Sequence, residues 1–365
     1  MASACATAGA AGTGAASVSV DACRAVDEAA FEAFAASQPH GTLYAAPAFH
    51  RFIGAAAGGE QHYLLARRGG ALAGALAYFV GRCDAGTLVN SLPWYGSHGG
   101  CILPADDEVR RVLLQAYAGQ LQRLRPVSAT LVLTPEEMDR AELYRDVLQP
   151  DAQDERIGQV SALPSTDADV DAALFAAMNG KTRNLVRKSL RQGFVECVSD
   201  DDDAWRFLHA VHARNMQGLG GAAKPWEHFT ALRAALPARM RRLSLACLDG
   251  RPVAALLLLA FNRTVEYVTP VALAEERSRQ PLSFLIWHGM RWAAAGGYRW
   301  WNWGGTWKTQ DSLHHFKAGW GALDRPYRYL VNAGPGGVAA IVAQRQALRA
   351  GLPYYYLYPF DRLPS

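Results

Sequence analysis

The sequence predicts an α/β (α+β) fold made of two similar units, each a mixed, largely antiparallel sheet flanked by helices. Three observations predict it. The chain has 365 residues, enough for two domains of ordinary size, and half of them are hydrophobic. One order of elements occurs twice: hairpin, third strand, proline-marked loop, helix, strand. A shift of 180 positions lays Leu65-Ala66 on Leu245-Ala246, Gly70 on Gly250, and Ala75-Leu76 on Ala255-Leu256.

Residues 1–20 are nearly all small and uncharged. They offer little to bury against the entropy of ordering and read as a flexible tail. The first unit is assigned to 21–160. In it Val26, Ala30, Phe31 and Phe34 fall at helical spacing over 21–36, and a second helix begins near Pro47 with Phe49, Phe52 and Ile53 inward. His62 to Arg67 and Leu72 to Val80 are strands about the Arg68-Gly69-Gly70 turn, and Thr87 to Ser91 is a third. A helix covers 106–124, and Ser128 to Leu133 is the next strand.

The second unit is assigned to 161–335, starting with a linker over 161–171. Helical patterns cover 172–192, 203–217 and 225–235. Arg242 to Leu248 and Val253 to Phe261 form a hairpin about Asp249-Gly250, and Val265 to Thr269 is the third strand. Leu282 to Ala295 is a long helix, and Tyr298 to Trp303 is a strand ending at Gly304-Gly305. Residues 336–365 are read as a C-terminal helix and tail.

Composition excludes several classes. With 10 Trp, 14 Tyr and 13 Phe the chain is not a disordered one. A net charge of +4 does not by itself predict nucleic-acid binding. The six cysteines form no CxxC pair, which predicts reduced thiols and a cytoplasmic protein. No stretch is apolar for long enough to span a membrane, although work at its inner face stays open. No P-loop ending and no GxSxG elbow occurs, and His209 with His212 lacks a third ligand, so no metal site is expected.

Three constellations carry possible chemistry. Lys181 to Arg191 holds five basic residues in eleven and no acid. On a helix Arg183, Arg187 and Arg191 form one row, with Lys188 beside it. Phosphate or an RNA backbone would relieve their repulsion; a solvated face neutralised by Asp200 to Asp203 is the alternative. The second runs from Tyr298 through Gly304, Gly305, Trp307, Lys308 and Asp311 to Lys317. Its glycines permit close ligand approach, and Lys317 offers a cation to a phosphate or an oxyanion, or else is a surface lysine on an aromatic core edge. The third is the glycine-rich run around Trp94, Tyr95 and His98, an acceptor-contacting loop or a plain turn. Glu266 and Tyr267 lie on the third strand of the second unit, where a carboxylate or phenol in a cleft would take a proton from an amine. A structural ion pair for Glu266 is the alternative.

The basic helix ending at Arg191-Gln-Gly193, the Asp249-Gly250 hairpin, the helix around Trp287 to Ala295, and the Gly304-Gly305 … Phe316-Lys317 … Gly319-Trp-Gly321 ending resemble the Fem-like branch of the GNAT acyltransferase superfamily, the peptidoglycan-bridge aminoacyltransferases and their relatives. The resemblance spans about 40–330. It implies tandem duplicated GNAT-like domains and an N-acyltransferase that moves an acyl or aminoacyl group from aminoacyl-tRNA or acyl-CoA to an amine of a cell-envelope or polysaccharide precursor. It implies roles for Lys317, Gly304 and Gly305 near the reacting centre, and no tightly bound cofactor. Two positions depart from the pattern. The segment Leu273 to Leu282, with Arg277 and Arg279 as donor-binding candidates, has no glycine where acetyl-CoA users carry a glycine-rich pyrophosphate loop. Asn302 stands where relatives often carry an acid. The expected chemistry is direct attack by the amine, with Trp94 and Tyr95 shaping the acceptor cleft, Arg183, Arg187 and Lys188 holding phosphates, and Lys317 or backbone amides stabilising the oxyanion. The competing expectation is a GNAT-like protein without catalysis that binds polysaccharide or nucleic acid.

Overall fold

The computed structural model describes residues 17–93, 99–102, 106–166, 169–306 and 310–362. The first half runs β1 (Val18–Cys23), α1 (Glu28–Ser37), a 3₁₀ turn (Leu43–Ala45), α2 (Pro47–Ala57), β2 (Glu60–Arg68), β3 (Ala71–Cys83), β4 (Gly86–Asn90), β5 (Cys101–Ile102), α3 (Asp107–Leu124), β6 (Ser128–Leu133), a 3₁₀ turn (Pro135–Arg140), α4 (Ala141–Leu148) and β7 (Ala152–Ala162). The second runs α5 (Val170–Ala177), α6 (Gly180–Ser189), β8 (Val195–Val198), α7 (Asp202–Gly218), α8 (Trp226–Ala235), β9 (Arg241–Leu248), β10 (Arg251–Phe261), β11 (Thr264–Ala272), α9 (Pro281–Ala295), β12 (Trp300–Thr306), α10 (Asp311–Gly319), β13 (Ala322–Ala333) and α11 (Gly337–Gly351).

Local chemistry sets these boundaries. Asp27, Asp106, Asp169, Asn179 and Asp201 each accept a hydrogen bond from a backbone N–H of the first helical turn that follows. The β2–β3 and β9–β10 hairpins turn on Gly69-Gly70 and Asp249-Gly250, all at positive φ, which matches the right-handed twist of the flanking strands. The helical pattern over 172–192 is two helices rather than one, because the Asn179 side chain accepts from Thr182 N at 2.8 Å and starts α6 anew.

The strands form one sheet in the order β1-β2-β3-β4-β6-β13-β7-β12-β11-β10-β9-β8, with β5 on β3. Among the described residues only β4/β6 and β11/β12 pair in parallel. The order reads the same from both ends. Each half lays down four antiparallel strands and a parallel fifth, then sends its last strand across to the other half. Thus β7 pairs with β12, β13 pairs with β6, and β7 and β13 pair with each other from Ala152↔Val331 to Ser161↔Ala322.

Two sequence expectations change here. Residues 18–20, read as tail, belong to β1, since the edge of β2 offers it backbone hydrogen bonds from Val18↔Arg68 onward. The boundary at 160/161 falls inside β7, so the linker begins only after Ala162. Neither β7 nor β13 is legible as a strand, because their polar side chains find partners inside the fold.

One face of the sheet is covered by α3 and α4 over the first half and by α5, α6 and α9 over the second. On the opposite face one core joins the halves. It includes Phe31, Phe49 and Phe52 from α1 and α2, Trp205 and Phe229 from α7 and α8, and Leu348 from α11. At the centre of that face Asp154 and Arg156 of β7 are buried. Arg156 donates twice to Asp154 Oδ2, at 2.8 and 2.5 Å, and the Tyr356 hydroxyl donates to the same oxygen at 2.8 Å. The guanidinium lies 5.5 Å from the Tyr329 ring of β13. Removing one partner of a buried pair strands the other charge. Asp154→Ala is therefore expected to cost about 3–5 kcal/mol in urea unfolding, with the Asp154→Leu/Arg156→Leu pair costing much less. A cost below about 1 kcal/mol for Asp154→Ala would show that the pair does not stitch the strands.

Candidate functional site

The parallel pairing of β11 with β12 runs Thr264↔Trp300, Val265↔Trp301, Glu266↔Asn302 and then stops. Beyond it β11 stays on β10, while β12 bulges between Asn302 and Gly305 and follows β7. The two strands splay, and a gap opens just past Glu266.

Glu266 faces the core shared by the two halves and is 2% exposed. Its Oε2 accepts from the Tyr44 hydroxyl at 3.1 Å, and its Oε1 makes no hydrogen bond within 3.5 Å among the described residues. Burial pushes the carboxyl up to about 8, against the opposing pull of the Tyr44 hydroxyl and the neighbouring Asn302 amide; the Glu136 carboxylate adds to the rise. The group is thus largely protonated at neutral pH yet within reach of ionisation.

A cleft of about 250 Å³ lies alongside, lined by Thr264 and by Asn302, the β12 partner of Glu266, though not by Glu266 itself. Gly158, Val160 and Asn302 line it from the sheet, and His40, Thr42 and Glu136 line it from the first half. Trp300 stands at its rim, 38% exposed. A smaller hollow of about 50 Å³ continues past His40 and Thr42 toward Cys101 and Thr134. The second half fixes the wall that the first half supplies. Asn262 Nδ2 donates to the carbonyls of Gln38 and Gly41, both at 3.2 Å. Gly41 is required there, because a Cβ would lie 1.9 Å from Ala35 O. Tyr44 is set from behind by buried His50, whose Nε2 lies 2.7 Å from Tyr44 O and whose Nδ1 lies 3.1 Å from the Tyr63 hydroxyl. Burial lowers His50 to about 4, so it stays neutral, with its proton on the nitrogen that faces the carbonyl.

The residues singled out from sequence separate here. Glu266 is buried next to Asn302 of the cleft wall. Tyr267, next on the strand, points to the opposite face and packs on Trp303 with centroids 4.9 Å apart, so the two do not share a cleft. Lys317 reaches β12 but does not face a ligand. It is 3% exposed, and its ammonium donates to Gly304 O at 3.3 Å, Gly305 O at 3.1 Å and Thr306 Oγ1 at 2.7 Å. Its three donors are all spent within the chain on the Gly304-Gly305 bulge and Thr306, so none is left here for the expected phosphate or oxyanion contact. Burial lowers it to about 8. Gly304 sits at φ +73°, and a Cβ on Gly305 would meet the Tyr327 hydroxyl at 2.5 Å.

The basic row also has inward duties. Arg183 Nη1 donates to Met178 O at 2.6 Å and Phe175 O at 3.2 Å, closing the end of α5, and the Arg187 guanidinium lies 5.3 Å from the Phe175 ring. Arg187 and Lys188 are exposed, and Arg183 is half-buried. Arg277 donates to Asn215 Oδ1 at 2.9 Å, and Arg279 pairs with Glu276 at 3.4 Å. Asp311 starts α10 and is exposed. Trp94, Tyr95, Trp307 and Lys308 lie outside the described residues. Tyr44, His40, Thr42 and Glu136 escaped sequence reading because nothing local marks them; Tyr44 meets Glu266 across 222 positions.

Residues 176–317 match the family model described as an acetyltransferase (GNAT) domain. No curated protein sequence matches the chain. Among solved structures, FemX superposes with a TM-score of 0.69 at 13% identity, covering 85% of this chain and 97% of its own. A tandem GNAT protein from the clavulanic acid biosynthesis pathway gives 0.54 at 12% identity over 87% and 99%. L-PGS from Bacillus licheniformis gives 0.53 at 12% over 88% and 97%. These likenesses share the fold: a mixed, largely antiparallel sheet flanked by helices. Among the described residues no group of three or more His, Cys, Asp or Glu is arranged to hold a metal ion, and no helix is long and apolar enough to cross a membrane.

Lys317→Met leaves two carbonyls and a hydroxyl without their donor. It is expected to destabilise the fold by about 2–4 kcal/mol in chemical denaturation. Full stability with lost turnover would instead return Lys317 to the reacting centre.

Proposed function

From the GNAT acyltransferase superfamily membership of the matched segment, we propose that the protein is an N-acyltransferase whose two halves form a tandem pair of GNAT-like units in a Fem-like arrangement. It moves an acyl or aminoacyl group from an activated donor, an aminoacyl-tRNA or an acyl-CoA, to an amine of a cell-envelope or polysaccharide precursor. It would act in the cytoplasm, where such donors are made. The observation that carries the reading is Glu266: a buried carboxyl with one oxygen unpartnered among the described residues, in register with Asn302 of the cleft wall and at the point where two parallel strands part.

In this reading the donor's acyl arm enters the gap between β11 and β12, and the acceptor amine enters the cleft under His40 and Thr42. The amine nitrogen forms a bond to the acyl carbon, and the carbonyl electrons move onto oxygen. Backbone N–H groups of β11 that have lost their neighbouring strand would meet that oxyanion. Glu266 Oε1 accepts the proton that the nitrogen sheds. Collapse expels the thiolate or ribose oxygen, which takes a proton in turn. A carboxyl near 8 is matched to this exchange, because a base works best with a pKa close to the working pH. Holding both substrates in line supplies much of the remaining rate.

The donor is constrained by the start of α9. Pro281 occupies its first position and removes one of the N–H groups that would hold a pyrophosphate. With no glycine over 274–279, this supports an aminoacyl ester over acetyl-CoA.

Glu266→Gln keeps the shape and removes the base. It is expected to lower kcat about 10²–10⁴-fold with little change in KM. The fold binds the Glu266 proton up to about 8, whereas the unfolded chain releases it near 4.5. Wild-type stability therefore falls as pH rises through that window, and the variant lacks this slope. Undiminished turnover by Glu266→Gln, measured with each donor, would overturn the proposal.

A further inference from the structure

The charged side chains that line the cleft come from different parts of the chain, and together they describe the molecule that would fit it. The 3₁₀ turn Pro135–Arg140 follows β6 and carries two neighbouring carboxylates with different surroundings. Glu137 is tied into the fold. Arg110 of α3, 2% exposed, donates to it from Nε at 2.5 Å and from Nη2 at 3.0 Å, and the Tyr144 hydroxyl of α4 donates at 3.0 Å. These bonds fix the turn against two helices. Glu136, its neighbour, is exposed and lines the cleft. Residues three apart on a 3₁₀ helix lie above one another, and Asp139 accordingly lines the same cleft. Of the charged groups in that lining, Glu136 is the one whose charge reaches Glu266 among the described residues.

Strand β13 supplies the opposite charge. Arg325 is exposed and also lines the cleft. It is in register with Gly158 of β7, and Gly158 with Gly305 of β12, so the floor beside the arginine stays at backbone level. Asn302 is in register with Val160. It therefore lies two strands and two residues from Arg325, about 12 Å between Cα atoms. Trp300 stands at the rim with part of its ring exposed, a surface on which an alkyl chain or an ammonium can rest. Two carboxylates, a guanidinium and an aromatic ring thus border one space of about 250 Å³.

We propose that the acceptor is a zwitterion: Glu136 and Asp139 bind its ammonium group, and Arg325 binds a carboxylate or phosphate on the same molecule. That this ligand is the acceptor rests on the transfer reaction proposed above; the paired-charge site does not. An alkylamine is carried in neutral water as its ammonium ion. The acidic wall gathers it in that form, and the fraction that has lost its proton to water reacts beside Glu266. Arg325 adds selectivity. A guanidinium disfavours a second cation and pairs with a carboxylate or phosphate through two N–H groups.

Calorimetry on the full chain tests the site without turnover. The probes are 4-aminobutyrate, 6-aminohexanoate and 2-aminoethyl phosphate, against butylamine, butyrate and inorganic phosphate as singly charged controls. At least one zwitterion should bind about tenfold tighter than the amine alone or the anion alone. The aminocarboxylates against the aminophosphate show which anion is taken. Glu136→Gln should weaken butylamine and the zwitterion alike. Arg325→Met should remove the advantage of the zwitterion and leave butylamine nearly unchanged. Both side chains are exposed, so both variants should keep the wild-type Tm. A zwitterion no tighter than butylamine would overturn the proposal. So would a large gain in butylamine binding by Arg325→Met, which would mean that the arginine only neutralises the acidic wall. In turnover, Glu136→Gln should raise the acceptor KM about tenfold and leave the donor KM unchanged. A fall in kcat with the acceptor KM intact would contradict the role. Zwitterion binding by a protein that shows no turnover with either donor would sink the transferase reading alone.

Discussion

The architecture depends on one exchange: β7 leaves the first half to pair with β12, and β13 leaves the second half to pair with β6. Because the exchanged strands also pair with each other, the halves share one uninterrupted sheet. The seam is therefore a region where backbone hydrogen bonding is complete and side chains are free to specialise. On the face that bears the shared core it carries Asp154, Arg156, Tyr327 and Tyr329, and beside them the cleft. Gly158 and Gly305, opposite each other in register, keep the floor low enough for Tyr327 and the cleft to fit.

The symmetric sheet does not give two equivalent sites. In the first half the parallel pairing of β4 with β6 also ends on a polar residue, at Asn90↔Thr130. There the chain's own C-terminal segment fills the position. Asn90 Nδ2 donates to Tyr356 O at 3.1 Å, Asn90 Oδ1 accepts from Tyr356 N at 2.7 Å, and Ser128 Oγ donates to Leu357 O at 2.6 Å. Both groups of the Asn90 amide are satisfied by backbone. At the corresponding place in the second half stands Glu266, with an oxygen left over. The two positions thus differ by a carboxyl in place of an amide, and by a partner from the first half, Tyr44, in place of the C-terminal backbone.

Much of the fold was legible in the sequence. Both hairpins, the long helices and the repeated order follow from periodicity and from turns such as Asp249-Gly250. The exchange was not, since β7 reads as Ala-Gln-Asp-Glu-Arg-Ile-Gly-Gln-Val-Ser-Ala, whose polar side chains are satisfied only once β12, β13 and Tyr356 are in place. Of the candidate site, Glu266 and the Gly304-Gly305 bulge were legible as chemistry. The role of Lys317 was not, because a lysine near a glycine pair looks the same in sequence whether it binds a ligand or the glycines' own carbonyls. Tyr44 and His40 lacked any signal, since their meaning lies in contacts made from the other half.

The central claim is that the seam keeps the Glu266 carboxyl protonated and ready to exchange a proton near neutral pH. Its titration can be followed directly by carbon-13 NMR of glutamate-labelled protein, with the signal assigned by its loss in Glu266→Gln. The account predicts a midpoint near 8. A midpoint near 4.5, the value of an ordinary glutamate, would mean that the carboxyl is solvated and paired, and the proton-transfer role would fall with it.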